Sequence, residues 1–410
     1  MKAIVTTAFA WFALGIFAAE IPQAPIPPSP YLPIIYKFAD AMLERGRDTN
    51  GLFYGALNRA TLVPLTNRPS APQGVREGDR ALTGGNPQHD QNFLRLLYTL
   101  SELSAKPKYR DAADAELRWF VENASTSGAF RFAGPWMLWD RCFEIAPEAT
   151  QRFALGLSSH KLDSRNLEEF YRQAGFYIRS WALAYAHTKH EPFLNVIDRL
   201  LARVEETRRW GVNRAVASTF SLAMDCDAAS RLLPTGHAFR LRVFTLREEE
   251  GLPFSDWLVV TGGGRRLPAW VDRHEDTSTA QIAMMCVSRY ENTGRVDYRD
   301  LIHFAADLYL DSLPSADADA WPITFGHAIS LQVAAWRSTA KQVYLDRARA
   351  LADFAVKRFF DQGPLPRASL KSDHYEAITG ADTLALGLVE LHLHILAITA
   401  VRYPPNTIDR

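Results

Sequence analysis

Apolar and polar positions along this chain follow two helical rhythms. One kind of segment is apolar almost all round, as in "FYIRSWALAYAH" from Phe176 and "DTLALGLVELHLH" from Asp382. A helix with no side suited to water belongs in an interior. The other kind carries charge along one side and Ala, Leu or Phe along the other, the pattern of a helix lying over a core. The two kinds alternate. Strand-like alternation is nearly absent, so the pattern predicts an all-α fold.

The alternation contains an internal repeat. "LLYTLSELSAKPKYRDAADAELRWFVE" resembles "WALAYAHTKHEPFLNVIDRLLARVEE", and both resemble "CVSRYENTGRVDYRDLIHFAADLYLD" and "AAWRSTAKQVYLDRARALADFAVKRF". Each has an apolar helix, a short polar turn, an aromatic and an amphipathic helix; the aromatics are Tyr109, Phe193, Tyr298 and Tyr344. The last interval fits one helical hairpin, and the two earlier ones fit two each. Filling the gaps places apolar helices near Asp90, Trp136, Ala174, Ala215, Glu275, Thr324 and Ala381. Amphipathic helices fall near Pro107, Pro147, Glu191, Gly236, Asp297 and Lys341, and the segment from Tyr31 to Glu44 supplies one more, to pair with the last helix. Two concentric rings follow: an (α/α) toroid, or barrel, of six to seven helical hairpins. The spacing fits seven, with the two chain ends adjacent. An open helical solenoid is the alternative, since it also stacks hairpins.

Composition changes this picture little. The chain has 410 residues, 47% hydrophobic, enough for one large core, and its 46 basic residues balance 46 acidic ones. No global charge favours nucleic acid or a membrane surface. The start, "MKAIVTTAFAWFALGIFAAE", has the form of a secretory signal peptide over residues 1–19, too short for a span of about 20 residues. A proline-rich spacer fills 20–33, and 34–410 reads as a single barrel domain, secreted or periplasmic, without a membrane contact once the signal is removed. Cys142, Cys226 and Cys286 are scattered in apolar helical contexts and read as packing residues. Two long irregular stretches interrupt the helices. Asp48 to Asn86, rich in Gly, Pro, Asn and Arg, is expected to form a lid loop over a cleft, and 259–277 is a second candidate loop.

The chemistry collects before the apolar helices. "GNPQHDQNF" supplies Asn86, His89 and Asp90; "WMLWDRCFE" supplies Trp139, Asp140 and Arg141; "YRQAGFYIRSW" supplies Arg172, Tyr177 and Arg179. "DRHEDTST" supplies His274, Glu275 and Asp276, "WPITFGHAIS" supplies Trp321 and His327, and "RASLKSDHYEAITGADT" supplies Arg367, Lys371, His374, Tyr375 and Glu376. Inner helices of a toroid run parallel, so their N-termini converge on one rim. Free N–H groups and positive dipole ends there suit anionic ligands. Asp90, Asp276, Thr277 and Asp382 are explained as helix caps; the His, Tyr and Arg residues are not. Trp136, Trp139, Trp270 and Trp321 are expected at the cleft rim, where aromatic faces stack on sugar rings. Neither HExxH nor a paired Cys motif is present, so no metal and no cofactor is expected.

At these residues the chain resembles secreted bacterial (α/α)-toroid polysaccharide lyases, in particular the seven-hairpin lyases that act on polyuronates such as alginate and glucuronan. The resemblance lies in the export signal, the hairpin array, the long N-terminal loop and a cleft with His, Arg, Tyr and an acid. It implies β-elimination: a proton leaves C5 of a uronate and the O4-linked group departs, with the carboxylate neutralised by the site. Carried onto this chain, Tyr375 is the first choice for base and acid, and Tyr177 the second, with His327 or His274 assisting. Asn86 and Glu275 would hold the uronate carboxylate, and Arg141, Arg172 and Arg179 would bind further uronates. Arg367, Lys371 and His374 would lower the Tyr375 pKa; His89, Trp139 and Trp321 complete the substrate contacts. The implied partner is an acidic polysaccharide, bound by a monomer. Three alternatives stand beside it: a toroid glycoside hydrolase using Asp90, Asp140 and Glu376, a toroid epimerase using two histidines, and a glycan-binding toroid without catalysis.

Overall fold

The computed structural model describes residues 29–65, 67, 69–75, 80, 85, 89–123, 164–209, 226, 228–236, 267–273 and 276–396, with the side chains of 123, 164–174, 176, 199, 203–209 and 292 outside that set. Ten helices carry the described chain: α1 (Tyr31–Arg45), α2 (Gln91–Ser104), α3 (Pro107–Asn123), α4 (Ser164–Thr188), α5 (Pro192–Arg209), α6 (Thr279–Thr293), α7 (Val296–Asp307), α8 (Pro322–Thr339), α9 (Gln342–Phe359) and α10 (Ala381–Ile395). Two short strands, β1 (Ala56–Leu57) and β2 (Tyr375–Glu376), pair with each other.

The inner row runs α6, α8, α10, α2, each packed on the next. It therefore passes through the two chain ends, as a closed ring requires. Every residue from Ala381 to Leu393 in α10 is buried, as its all-round apolar sequence dictates. α9 buries one stripe, Tyr344, Leu345, Ala348, Leu351, Ala352, Ala355 and Phe359. α1 joins the outer row: Tyr31 Oη donates to Asp353 of α9 at 2.9 Å, and Tyr109 Oη of α3 donates to Asp40 of α1 at 2.8 Å. The first helix thus covers the last, as its amphipathic pattern predicts. α3 packs on both α4 and α5. The hairpins expected near Trp136 and Ala215 lie outside the described residues, and the count of seven rests on them.

The repeat has a physical basis in the turn joining each inner helix to its outer partner. Ser104, Thr188, Thr293 and Thr339 each donate a hydroxyl to the carbonyl four residues back, at 2.6–2.8 Å. Each hydroxyl also accepts from the amide two residues on, at 3.2–3.3 Å. The residue between, Ala105, Lys189, Gly294 or Ala340, is left-handed. A non-glycine residue in that conformation costs roughly 1–2 kcal/mol, which the paired hydroxyl bonds and the following aromatic offset. Tyr109, Phe193, Tyr298 and Tyr344 are all buried.

Several expectations shift in detail. α4 begins at Ser164, earlier than Ala174, and α6 begins at Thr279 rather than near Glu275. Ser278, not Asp276 or Thr277, caps α6, accepting from the Gln281 amide at 3.1 Å. Asp382 caps in trans: its Oδ2 accepts from the Phe93 amide of α2 at 2.8 Å. Trp270 is half-buried and packs against the core on Tyr309 and Phe325, with its indole N–H on Ser312. Cys226 and Cys286 are buried, as packing residues would be; Cys142 lies outside the described residues. Among the described residues, no helix is long and apolar enough to cross a membrane.

Candidate functional site

The N-termini of α2, α8 and α10 meet at one rim. Asn92 Nδ2 of α2 donates to Thr383 Oγ1 of α10 at 2.8 Å, beside the Asp382 cap. α8 and α10 approach through glycine: a Cβ on Gly326 would lie 2.4 Å from the Thr383 carbonyl oxygen. Gly380, at φ +80°, turns the chain into α10 against Ile323. Backbone contact of this kind leaves no room for side chains between the helices. The polar groups are carried instead by the segments leading into them.

The segment leading into α10 is β2. β1, from the long loop after α1, pairs with it antiparallel, Ala56 opposite Glu376 and Leu57 opposite Tyr375, and the Ala377 amide donates to the Gly55 carbonyl at 2.7 Å. Successive side chains of an extended segment point to opposite faces. Tyr375 turns into the core, 1% exposed, its ring 6.0 Å from that of Phe38 in α1. His374 and Glu376 share the other face, and His374 Nε2 lies 2.7 Å from Glu376 Oε2. The long loop returns to that face. Arg80 Nε donates to Glu376 Oε1 at 2.6 Å, its Nη2 to Oε2 at 2.9 Å, and its Nη1 to the Pro69 carbonyl at 2.7 Å. Both Arg80 and Glu376 are buried. A buried pair of this kind holds only when the geometry is bidentate and the remaining donors are satisfied. Burial alone would raise the Glu376 carboxyl, but the hydrogen bonds from His374 and Arg80 outweigh it and hold the group below its ordinary value.

An ionised carboxylate only accepts hydrogen bonds. Glu376 therefore fixes a proton on His374 Nε2 and leaves Nδ1 as the basic nitrogen of the neutral ring. Among the described residues, no hydrogen bond involves Nδ1. A small apolar cluster of Val75, Trp321 and Ile378 closes the adjoining rim.

A second arginine ties the same loop down further out. Arg59 donates from Nε to the Leu365 carbonyl and from Nη2 to the Phe359 carbonyl, both at 2.8 Å, and pairs with Asp361 and Asp373. Arg367 pairs with Asp361 at 2.6 Å on the partly exposed side of this cluster. Lys371 Nζ, also exposed, donates to the Asp317 carbonyl.

The predicted site residues thus separate. His374 and Glu376 come together on one face of β2. His327 is buried in the second turn of α8, directly after Gly326, and Trp321 precedes that helix. His89 is buried beside Asp90 at the start of α2. Tyr177 lies on α4, stacked on Trp181 at 5.1 Å, while Arg179 is half-buried nearby. Burial, and then the charges of Glu116 and Asp90, push the Tyr177 hydroxyl above its ordinary pKa, against the direction a tyrosinate base needs. Asn86, Trp139, Arg141, His274 and Glu275, and the side chain of Arg172, lie outside the described residues. Among those described, no group of acidic, His or Cys side chains has the arrangement of a metal site. Arg80 was not singled out by sequence; its only signal was membership of an arginine-rich irregular loop.

No family model matches the chain, and no curated protein matches it. Solved structures do. A D-mannose isomerase shares 10% identity over 88% of this chain and 96% of its own, with a TM-score of 0.54. The cellobiose 2-epimerase of Bacillus thermoamylovorans B4167 shares 10% over 88% and 97%, with a TM-score of 0.52. That of Spirochaeta thermophila DSM 6192 shares 12% over 90% and 100%, with a TM-score of 0.51. At such identities the likeness is one of fold, and the fold is the (α/α) toroid.

Proposed function

We propose that this chain is a carbohydrate-active enzyme whose chemical step removes a carbon-bound proton beside a carbonyl group, with His374 Nδ1 as the base and Glu376 holding the ring. The observation that carries the reading is the His374–Glu376 contact of 2.7 Å on the rim face of β2. A neutral imidazole oriented by a carboxylate accepts a proton near neutral pH without needing a strongly shifted tyrosine. Tyr375, turned to the opposite face, is not the base in this reading.

The substrate class we favour is a neutral reducing sugar undergoing isomerisation or 2-epimerisation. Arg59, Arg80 and Arg367 at this rim each engage a carboxylate of the protein, so none presents an uncompensated charge to a uronate. The fold neighbours named as D-mannose isomerase and cellobiose 2-epimerase perform reactions of this kind, which supports the choice. Glu376 fits less well as the acid of a glycoside hydrolase. A general acid needs a raised carboxyl pKa, and the Glu376 carboxyl is lowered. β-Elimination on a polyuronate is the second reading, favoured by the export-like start of the sequence, and brings with it an acidic polysaccharide partner outside the cytoplasm.

One experiment separates them. The protein is incubated in D2O with mannose, glucose, fructose and cellobiose, and C2–H exchange is followed by NMR; parallel samples with alginate and glucuronan are followed by ultraviolet absorbance of the unsaturated product. C2 exchange is expected, falling about 10²–10⁴-fold in His374→Gln. Rising absorbance without exchange selects elimination. Neither signal on any substrate, or full activity in His374→Gln, overturns the assignment of the base.

A further inference from the structure

We infer that Arg80, carried on the long loop between α1 and α2, is a positioning residue that lets Glu376 orient His374 without holding it protonated. The inference rests on the reading of His374 as the base. Glu376 Oε2 is shared: it lies 2.7 Å from His374 Nε2 and accepts from Arg80 Nη2 at 2.9 Å, while Oε1 takes Arg80 Nε at 2.6 Å. A bare carboxylate beside a histidine favours the imidazolium, by about one to three pKa units for a close opposite charge. An imidazolium is no base. The bidentate guanidinium cancels the carboxylate's charge and keeps its acceptor oxygen, so the imidazole feels the geometry of Glu376 and little of its field.

The other charges around His374 do not perform this task. Asp373, its neighbour in sequence, pairs with Arg59 and lies 3.7 Å from Arg367. Asp361 is held between Arg59 and Arg367. Lys371 is directed to the Asp317 carbonyl, and its amide rests on Asp319. The paired strand contributes Ala56 and Leu57, which carry no charge, and Tyr375 faces the other way. Arg80 alone among these groups touches the carboxylate that touches the ring. It reaches that position from far away in sequence.

The test is the titration of His374 in the full chain labelled at histidine ring nitrogens, with its resonance assigned by its loss in His374→Asn. In Arg80→Gln the midpoint is expected to rise by about one unit or more, and in Arg80→Lys, which keeps the charge, to stay at the native value. Where turnover is measurable, the acidic limb of kcat/KM moves up with the Gln variant and returns with the Lys variant. An unchanged or lower midpoint in folded Arg80→Gln overturns the inference. Should that variant fail to fold, Arg80→Lys decides: a midpoint displaced by a full unit overturns the inference, and a native midpoint supports it. Because the titration needs no substrate, a protein with the shift but no sugar chemistry loses the proposed function and keeps this electrostatic arrangement.

Discussion

Two buried glutamates near this rim have opposite fates. Glu376 lies on an extended segment between a guanidinium and an imidazole, and its carboxyl is held below the ordinary range. Glu116 lies on α3 with 0% exposure, and the groups that act on it, Asp90 and Asp48, are themselves acidic. Burial first, and then those like charges, push its carboxyl well above the ordinary range. Both are equally hidden from water, so desolvation does not separate them. The partners do. A buried carboxylate with cationic and hydrogen-bonding neighbours is an ionised fixture that can orient a base; one among acids is driven toward its protonated form. The same burial among acidic groups also makes Tyr177 harder to ionise. For the proton abstraction proposed above, β2 is the better suited of the two places.

The contrast is broken most strongly by removing one partner. Glu376→Ala leaves the Arg80 guanidinium buried without its bidentate acceptor and should cost about 3–5 kcal/mol, read from denaturant unfolding. A loss below about 1 kcal/mol would mean that the ion pair does not form in solution. A smaller effect, but one of distinctive sign, comes from Glu116→Gln. A carboxyl raised in the folded state contributes stability that is full below its unfolded pKa of about 4.3 and is lost as pH rises through the folded value. The native protein should lose melting temperature as pH rises from about 4.3 toward the raised folded value, and Glu116→Gln should flatten that slope. Glu376 has the opposite sign: its contribution is full above the unfolded pKa and is lost as pH falls through the lowered folded value. Identical pH slopes in native and Glu116→Gln proteins would contradict the comparison. The smallest change is expected from Arg367→Ala. Its pair with Asp361 is partly exposed, the side chains being 21% and 29% accessible, so the loss should be about 0–1 kcal/mol. Turnover should stay within about twofold; a large fall would restore Arg367 to the substrate contacts that its place in the sequence suggests.

Much of the fold was legible because it repeats. Tyr109, Phe193, Tyr298 and Tyr344 mark turns that the structure shows to be the same object, a Ser or Thr hydroxyl bridging a left-handed residue. The pairing of the first helix with the last followed from one amphipathic and one wholly apolar segment. Cap assignments fared worse. An acidic residue before a helix looks like its own cap, yet Asp382 serves α2, and a serine caps α6. Which helix end lies within reach of a side chain is a matter of packing, not of order along the chain.

The candidate site divides along the same line. Local sequence is sufficient to place His374, Tyr375 and Glu376 in one polar segment before a buried helix, because neighbours in sequence stay neighbours in space. It also determines, by the period of two of extended backbone, that the first and third share a face once that backbone is known to be extended. What local sequence does not contain is the strand itself. β2 exists because β1, more than three hundred residues earlier, pairs with it. That pairing sends Tyr375 into the core, and the loop that carries β1 also delivers Arg80. Helical hairpins are short-range objects, written in the spacing of apolar residues. The charge balance around His374 joins residues 80, 374 and 376, and only the closed ring brings them together.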